Sequence, residues 1–386
     1  MGALHKLRVL DFTQMMTGPM ATMMLGDFGA DVIKVEAPEG DPFRSSGEVT
    51  LGGDGVFFLS MNRNKRGVVL DLKTEQGREM VKALAAEADV LVENFRPGLA
   101  EKLGLGCEEL QALNPRLIYC SITGFGRNGA DRDRPALDQV VQAESGLMQI
   151  TGTAQSGPLK TGFPFSDLVT ALLATAGILN AVIARYETGV GQRVDLSMLD
   201  ASIFSIAPRD VYFAATGKTP PRTGNEHWDI VPNNTYATSD GREVMVISIN
   251  DKFWVILARA LGLADMATDP LFATKSARLK NRQLLDERVA AAFRGRTLAE
   301  WETVLRAAGA IYGAVRTWDE VFSDPRVIGD MVHSIEHAAA GQLSVLKNPL
   351  RFSATPNEIS LPPPRLGEHT DSVLADPSAA WRVRGR

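Results

Sequence analysis

The sequence predicts an α/β protein in which helices cover both faces of a parallel sheet. The first observation is that short apolar strands alternate with helical segments through the N-terminal half of the chain. The second is that 45% of the 386 residues are hydrophobic, which is enough for a large core and fits two domains or one elaborated domain. The third is that the pattern changes after about residue 225, where a hairpin and several helices predict a smaller α+β domain.

The strands of the first part are short and rich in β-branched and apolar residues. They are predicted at residues 7–12, 31–36, 89–95, 116–126 and 191–199. A helix over residues 18–29 has Pro19 near its start and Gly29 near its end, and a second helix begins after Thr74. A third helix follows Asp167.

The second part begins after a stretch rich in Pro, Gly and polar residues, from about Arg209 to Asn234, that is typical of a linker. The segment TYATSDGREVMVIS predicts a hairpin that turns at Asp240 and Gly241. Helical patterns follow at residues 251–262, 281–293 and 298–309. The tail LPPPRLGEHTDSVL, residues 361–374, predicts an extended surface segment outside the core.

Composition argues against several classes of protein. The net charge of -5 and the pI near 5.7 do not favour a nucleic-acid partner. Cys107 and Cys120 lack metal-ligand spacing and are interpreted as small buried residues in a reducing compartment, rather than as catalytic thiols. The N-terminus shows no apolar signal core, and the apolar run of residues 168–184 is slightly short for a bilayer. We therefore expect a cytoplasmic protein that does not enter a membrane.

The usual nucleotide motifs are absent from the sequence. The first strand is followed by DFTQMMTGP rather than by GxGxxG, which argues against a dinucleotide cofactor. No GxxxxGK[ST] or GxSxG sequence occurs either. A redox cofactor, nucleotide hydrolysis and an esterase-type serine are therefore not expected.

Two basic segments have two interpretations each. The segment MNRNKRGVVLDLKT groups Arg63, Lys65, Arg66 and Lys73, which suit phosphate oxygens but more often form a solvated basic turn. The segment VENFRPGLAEKLGLG places Asn94, Phe95, Arg96 and Lys102 at and beyond the carboxyl end of a strand. Ligands of open α/β sheets bind there, but an ordinary strand-turn-helix gives the same pattern.

Asp167 stands immediately before a long apolar segment. Ser166 or Asp167 is a natural N-cap, and the helix dipole favours an acid at that place. An ionised carboxylate at a helix N-terminus is also a nucleophile, so the two roles are compatible. Taken alone, the position favours capping.

Several segments together resemble the class III CoA-transferases, to which the α-methylacyl-CoA racemases are related. The matching segments follow the family's order over nearly the whole chain and include RVLDFTQMMTGPMATMMLGDFGADVIKVEAPEGDPFR, NRNKRGVVLDLKTEQG, VENFRPGLAEKLGLG, NPRLIYCSITGFGRNG, GFPFSDLVTALLATAGILNAV and LGEHTDSVL. The resemblance implies a Rossmann-like large domain of residues 1–205 and 326–386, a linker of residues 206–224, and a small α+β domain of residues 225–325. It also implies a ring-like subunit that interlocks with its twin as a homodimer.

The resemblance assigns roles to individual residues. Asp167 matches the aspartate that attacks an acyl-CoA, forms a mixed anhydride and then an aspartyl-CoA thioester. The positions that match the CoA site are Met15, Met16, Thr17, Leu70, Leu72, Lys73, Asn94, Phe95, Arg96, Lys102, Ala136, Leu137 and Asp138. The expected substrates are an acyl-CoA and a small carboxylic acid, for which dicarboxylates are the first candidates. No metal and no tightly bound cofactor are expected.

The chain departs from the related families at several positions. Racemases of the group carry a histidine, and many transferases a tyrosine, where this chain has Leu137. Without an imidazole, two-base proton exchange lacks a partner, so a transferase is favoured over a racemase. The glycine run of formyl-CoA transferases is reduced to Gly224, which argues against formyl-CoA:oxalate activity. His227 and Trp228 follow the linker and are either acyl-pocket residues or, as we favour, a packing pair. A CoA-binding protein without turnover is the remaining alternative.

Overall fold

The computed structural model describes residues 1–377 and 379–382, which form two compact units. The first unit comprises residues 1–147, 160–211 and the described residues from 325 onward, and the second comprises residues 148–159 and 212–324. This division differs from the expected one because residues 148–159 belong to the second unit. The backbone N–H of Gly224 donates to the carbonyl of Gly152 at 2.8 Å. The expected linker also contains a helix, Arg209–Thr216.

The strands of the described residues fall into one large sheet and several small ones. In chain order they are β1 (Arg8–Asp11), β2 (Asp31–Glu36), β3 (Thr50–Leu51), β4 (Asp54–Gly55), β5 (Lys65–Val69), β6 (Val90–Glu93), β7 (Ile118–Thr123), β8 (Gly152–Thr153), β9 (Gly157–Pro158), β10 (Arg193–Ser197), β11 (Asn233–Ala237), β12 (Glu243–Ile247), β13 (Ile311–Ala314), β14 (Val332–His337) and β15 (Gly341–Leu346).

The helices lie between these strands and in the second unit. In chain order they are α1 (Thr17–Asp27), α2 (Val56–Met61), α3 (Glu75–Glu87), α4 (Leu99–Lys102), α5 (Cys107–Leu113), α6 (Asp138–Glu144), α7 (Leu147–Ile150), α8 (Phe165–Thr188), α9 (Met198–Phe204), α10 (Arg209–Thr216), α11 (Asp251–Ala260), α12 (Lys275–Lys280), α13 (Arg282–Phe293), α14 (Leu298–Ala308), α15 (Trp318–Ser323), α16 (Pro325–Met331) and α17 (Thr370–Leu374).

The large sheet of the first unit is parallel, in the order β10-β7-β6-β1-β2-β5. Successive side chains of a strand point to opposite faces, so Val9 and Leu10 of β1 enter two different apolar clusters. Helices cover both clusters, which confirms the predicted α/β layering. The chain leaves β1 toward β2 on one side and returns to β6 on the other, so the strand order reverses between β1 and β6.

Helix α8 packs against this sheet and against α1. Ala171, Ala174 and Ile178 are fully buried in the same cluster as Val9. The helix has 24 residues, longer than the apolar run suggested, and by length and hydropathy alone it would qualify as membrane-spanning. A helix of a protein core passes the same test, and one face of α8 packs in the core of the first unit.

The predicted solvated basic turn is wrong, because three of its cations are buried in ion pairs. Arg63 binds Asp27 at 2.6 Å, Lys65 binds Asp11 at 2.9 Å, and Arg66 binds Asp31 at 2.8 Å. Each carboxylate lies on β1, on β2 or at the end of α1, so these cations hold the edge of the sheet to its neighbours. They are engaged with carboxylates, so the phosphate interpretation fails for them as well.

The prediction for the tail is wrong in part. Pro363 and Pro364 are buried without regular structure, and residues 370–374 form α17. Val373 is fully buried in the cluster that contains Leu10, and the hydroxyl of Thr370 accepts the backbone N–H of Val69 at 3.0 Å. The tail therefore covers β5, an edge strand whose backbone groups need partners.

The second unit contains an antiparallel sheet in the order β11-β12-β13, with helices α11 to α14 packed on it. The predicted hairpin is present, with Ala237 paired to Glu243 and Gly241 at φ +73° in its turn. Trp254 and Phe293 are fully buried in its core. Local sequence patterns therefore predicted this unit well.

Candidate active site

The candidate site is a cavity of about 450 Å³ in the first unit, beside the carboxyl ends of β1, β6 and β7. Asp167 lines it, together with nine of the thirteen residues that the resemblance assigned to CoA. They are Met15, Met16, Thr17, Asn94, Phe95, Arg96, Ala136, Leu137 and Asp138. The strand order reverses between β1 and β6, and such a switch point leaves a crevice in which ligands bind.

The loop that follows β1 is tied to the end of β6 across this crevice. The backbone N–H of Gln14 donates to Asn94 Oδ1 at 2.9 Å, and Asn94 Nδ2 donates to the Gln14 carbonyl at 2.9 Å. Asn94 therefore acts as a bridge between the two loops, in addition to lining the cavity. Beside it, the backbone N–H of Phe95 donates to Glu93 Oε2 at 2.7 Å.

A third wall comes from the loop before α6. A side chain at Gly124, just after β7, would lie 2.1 Å from Ala136 Cβ, which no real contact tolerates. The glycine therefore lets this loop pack against the end of the strand, and the loop places Ala136 and Leu137 in the cavity wall.

Asp167 lies in the first turn of α8, but it is not the cap. The helix begins at Phe165 after Pro164, which makes no side-chain capping bond, so the expectation of Ser166 or Asp167 as N-cap is wrong. The carboxylate of Asp138 takes that role from another helix: its Oδ1 accepts the backbone N–H groups of Ser166 at 2.8 Å and Asp167 at 3.3 Å. Asp138 Oδ2 accepts from Gln142 Nε2 at 2.6 Å, so the buried acid is well bound.

Burial raises the pKa of Asp167 to about 6. A hydrogen bond from the Thr17 hydroxyl to Oδ1 lowers the pKa, and the negative charge of Asp138 raises it further. At pH 7 the carboxylate is therefore about nine-tenths ionised, but poorly solvated. Such a group is more nucleophilic than an exposed aspartate.

The sequence did not predict some of the residues that line the cavity. Arg132 and Arg134 line the cavity beside Arg96, and so do Phe43 and Met198. Arg134 binds Glu144 at 2.5 Å and lies over the ring of Phe125, 4.7 Å from its centroid. The signal for the two arginines was present in the segment GADRDRPALD, a polar loop directly after a central strand.

Four residues assigned to CoA do not line this cavity. Leu70 is buried in the apolar core and Leu72 packs against the same cluster. Lys73 is exposed at a turn and Lys102 is exposed on the short helix α4. Contact of these residues with CoA stays a prediction.

His227 and Trp228 belong to the second unit. The centroid of the Trp228 ring lies 4.5 Å from that of the Tyr212 ring in an edge-to-face contact, and Trp228 and Tyr212 are both half-buried. This contact favours the packing interpretation.

Cysteine and metal chemistry find no support in the described part of the chain. Cys107 and Cys120 are free and buried, and burial raises the pKa of the Cys120 thiol. Within residues 1–377 and 379–382, no group of three or more His, Cys, Asp or Glu side chains is placed to hold a metal ion.

Known proteins give an independent comparison. A family model described as CoA-transferase family III matches residues 4–370. The succinyl-CoA:glutarate CoA-transferase of Mus musculus is 36% identical, over 97% of this chain and 86% of the relative. The succinyl-CoA:mesaconate CoA-transferase of Haloarcula hispanica is 38% identical, over 97% of this chain and 96% of the relative. The crystal structure of a CAIB/BAIF family protein from Brucella suis matches with a TM-score of 0.87 and 36% identity, over 97% of this chain and 99% of that one.

Proposed function

This chain belongs to CoA-transferase family III and is a CoA-transferase, and we propose that it works through a covalent intermediate on Asp167. The observation that carries the proposal is the position of this carboxylate. It lines the cavity at the carboxyl ends of the parallel strands, with a pKa of about 6, beside nine residues assigned to CoA. A nucleophile that is partly desolvated and mostly ionised at neutral pH suits attack on a thioester.

The proposed reaction conserves the energy of the thioester. Asp167 attacks the carbonyl carbon of the acyl-CoA, the carbon–sulfur bond breaks, and CoA leaves as the thiolate. The thiolate then attacks Cγ of Asp167, which gives an aspartyl-CoA thioester and releases the donor acid. The acceptor carboxylate attacks the same Cγ, expels the thiolate and forms a second anhydride, which the thiolate opens at the acceptor's carbonyl carbon to give the new acyl-CoA. Each bond broken is replaced by one of similar energy.

The substrates that we propose are succinyl-CoA and a small dicarboxylic acid. The relatives compared above are named for succinyl-CoA with glutarate or mesaconate. In this chain Arg96, Arg132 and Arg134 line the cavity of Asp167, and guanidinium groups bind carboxylates and phosphates with two parallel hydrogen bonds. The second carboxylate of a diacid and the phosphates of CoA are the ligand groups that need such cations.

The racemase alternative is disfavoured by Leu137. This side chain lines the cavity and is 54% exposed, and it cannot accept or return a proton. Racemases of the group carry a histidine at this position, and without its imidazole a racemase would lack one of its two bases.

We also propose that the chain functions as a homodimer. Ile183 and Tyr186 on α8 are 65% and 80% exposed, and Phe204 on α9 is 73% exposed. Large apolar side chains left exposed on these two helices favour a surface that another protein covers. Sedimentation analysis would support the dimer, whereas a monomer at micromolar concentration would contradict it.

The test of the function compares Asp167→Asn with Asp200→Asn. Asp200 is the third residue of α9, as Asp167 is of α8, but it is exposed, so it is a matched control. With succinyl-CoA and a panel of acids, Asp200→Asn should form new acyl-CoA at the wild-type rate, and Asp167→Asn should form none. Borohydride trapping should modify the peptide that contains Asp167. Full transfer by Asp167→Asn would exclude the covalent mechanism, and exchange at Cα of a 2-methylacyl-CoA without transfer would favour a racemase.

A further inference from the structure

The two oxygens of the Asp167 carboxylate are in different surroundings. Oδ1 accepts a hydrogen bond from the hydroxyl of Thr17, which is the first residue of α1 and is buried. Within residues 1–377 and 379–382, no hydrogen bond is donated to Oδ2. The structure therefore separates one bound oxygen from one that is available for reaction.

Backbone groups of α8 cannot replace the Thr17 hydroxyl. The N–H groups of Ser166 and Asp167, at the positive end of the helix, donate to Asp138 instead. The polar group that serves the Asp167 carboxylate thus comes from α1, the helix that packs beside α8. Thr17 is the one donor to this carboxylate among the residues that the structure describes.

The loop before Thr17 is held firmly from the sheet. The backbone N–H of Met15 donates to Asp41 Oδ1 at 3.1 Å, and Met15 has a left-handed backbone with φ +65°. Lys34 Nζ donates to Asp41 Oδ2 at 3.0 Å and to the Thr13 carbonyl at 2.7 Å. Lys34 and Asp41 are both buried. A strained residue persists only where its surroundings hold it, and here the loop places the Thr17 hydroxyl.

Close packing fixes the start of α1 as well. A side chain at Gly18 would lie 2.3 Å from Thr13 Cβ, so the glycine lets the helix begin directly against the loop. Thr22 on the next turn donates to Asp11 Oδ2 at 2.7 Å and ties the helix to β1. The Thr17 hydroxyl is therefore part of a rigid, preorganised element rather than of a mobile loop.

We propose that Thr17 is a catalytic residue whose hydroxyl stabilises the oxyanion that forms on Oδ1 when Cγ of Asp167 is attacked. This inference rests on the proposed function, in which Cγ is attacked twice. When CoA thiolate attacks Cγ of the anhydride, a carbon–sulfur bond forms and an electron pair moves onto Oδ1. The oxyanion then collapses and breaks the bond between Cγ and Oδ2, so the donor acid leaves with Oδ2. Attack by the acceptor carboxylate on the thioester again places the charge on Oδ1, and the thiolate leaves.

A consequence of this assignment is that the two oxygens have different fates. Oδ2 attacks the acyl-CoA, leaves with the donor acid and is replaced by an oxygen of the acceptor. Oδ1 stays on Asp167 through every turnover, because Thr17 holds it.

The first experiment compares Thr17→Val, which removes the hydroxyl at nearly constant volume, with Thr17→Ser, which keeps it. Loss of one oxyanion donor lowers kcat by about 100-fold or more in other enzymes, and we expect that loss for Thr17→Val with little change in KM. Thr17→Ser should recover most of the rate. Unchanged circular dichroism and melting temperature would show that both variants fold.

A kcat of Thr17→Val within about threefold of wild type, with Asp167→Asn inactive, would overturn the role of Thr17 and leave the proposed function standing. Equal losses for Thr17→Val and Thr17→Ser would also overturn it, because the serine hydroxyl should suffice. Full activity of Asp167→Asn would instead remove the proposed function, and the inference with it.

The second experiment uses an acceptor diacid in which every carboxylate oxygen is oxygen-18. After many turnovers, the mass of the peptide that contains Asp167 should show one labelled oxygen in wild type and a growing share with two in Thr17→Val. Two labels in wild type, as fast as in the variant, would overturn the inference. A peptide without any label in an active enzyme would contradict the covalent mechanism itself.

Discussion

Asp11 and Asp167 lie in the same unit, and burial acts on both, with opposite results. Asp11 ends β1 and is completely buried, and burial alone would raise its pKa. The charges of Lys65 and Lys34 and the hydrogen bonds from Thr13 and Lys65 together outweigh burial, and the pKa of Asp11 is lowered. Asp167 has only a hydroxyl to oppose burial and a second acid nearby, so its pKa rises to about 6. The sign of the shift is decided by the partner that the fold supplies, and not by burial alone.

The difference separates a structural acid from a reactive one. Asp11 also accepts from the backbone N–H and hydroxyl of Thr13, so both of its oxygens are engaged. Arg96, Arg132 and Arg134 line the cavity of Asp167, but none of them is paired with its carboxylate. A partly desolvated acid without a bound cation reduces stability, and such a cost is common at functional sites.

The largest expected effect is on catalysis. Asp167→Asn should lower kcat by about 10⁴-fold or more, because the amide is not a nucleophile under these conditions. Asp200→Asn should leave kcat unchanged. Steady-state rates with succinyl-CoA measure both, and equal losses in the two variants would mean that the position in a helix, rather than the chemistry of Asp167, matters.

The next effect is on stability at the structural acid. Asp11→Asn should lower the free energy of unfolding by about 3–5 kcal/mol, because it leaves the buried Lys65 ammonium without its partner. The pKa of Lys65, already lowered to about 8 by burial, should fall further. Urea unfolding at pH 7 measures the loss. Combining the change with Lys65→Met should cost less than the two single changes added together.

The reactive acid should behave in the opposite way. The folded-state pKa of Asp167 is raised, so its contribution to stability is present below pH 4 and is lost as pH rises through about 6. Asp167→Asn, which cannot ionise, should therefore be more stable than wild type at pH 8, by about 2 kcal/mol or less. The two proteins should converge at pH 4. A variant less stable than wild type at pH 8 would contradict the assigned desolvation of Asp167.

A smaller effect concerns the pH profile. The value of kcat/KM should rise with pH and level off above an apparent pKa of about 6, because only the ionised Asp167 attacks. Asp138→Asn removes the negative neighbour and should move this limb to lower pH. Arg96, Arg132 and Arg134 also line the cavity, so substrate binding can itself depend on pH. A second series therefore measures kcat at saturating acyl-CoA. A limb that does not move would show that Asp138 acts on Asp167 only through the helix.

The smallest effect concerns a residue assigned to CoA outside the cavity. Lys102→Gln should raise KM for the acyl-CoA about three- to tenfold without a change in kcat, if its ammonium binds a phosphate. Lys82→Gln is the control, because Lys82 is on α3 and binds Glu79. A KM for Lys102→Gln equal to that of the control would remove this lysine from the CoA site.

The sequence by itself determined the features that depend on neighbouring residues. Hydrophobic periodicity predicted β1, β2, β6, β7, β10 and the major helices, and α3 begins after Thr74 as expected, with Thr74 as its cap. The hairpin at Gly241 followed from turn chemistry that needs a left-handed backbone. The order of the motifs along the chain indicated the family and the cavity residues that the strand ends carry.

Only the tertiary structure decided which distant groups meet. Thr17 and Asp167 are 150 positions apart, and the carboxylate of Asp138 binds the start of a helix 28 positions later. Arg63, Lys65 and Arg66 look like a solvated turn until the sheet places a carboxylate beside each. Burial and charge depend on these long-range neighbours, which a local pattern does not contain. The raised pKa of Asp167 is therefore a property of the fold, whereas its place before an apolar segment is visible in the sequence.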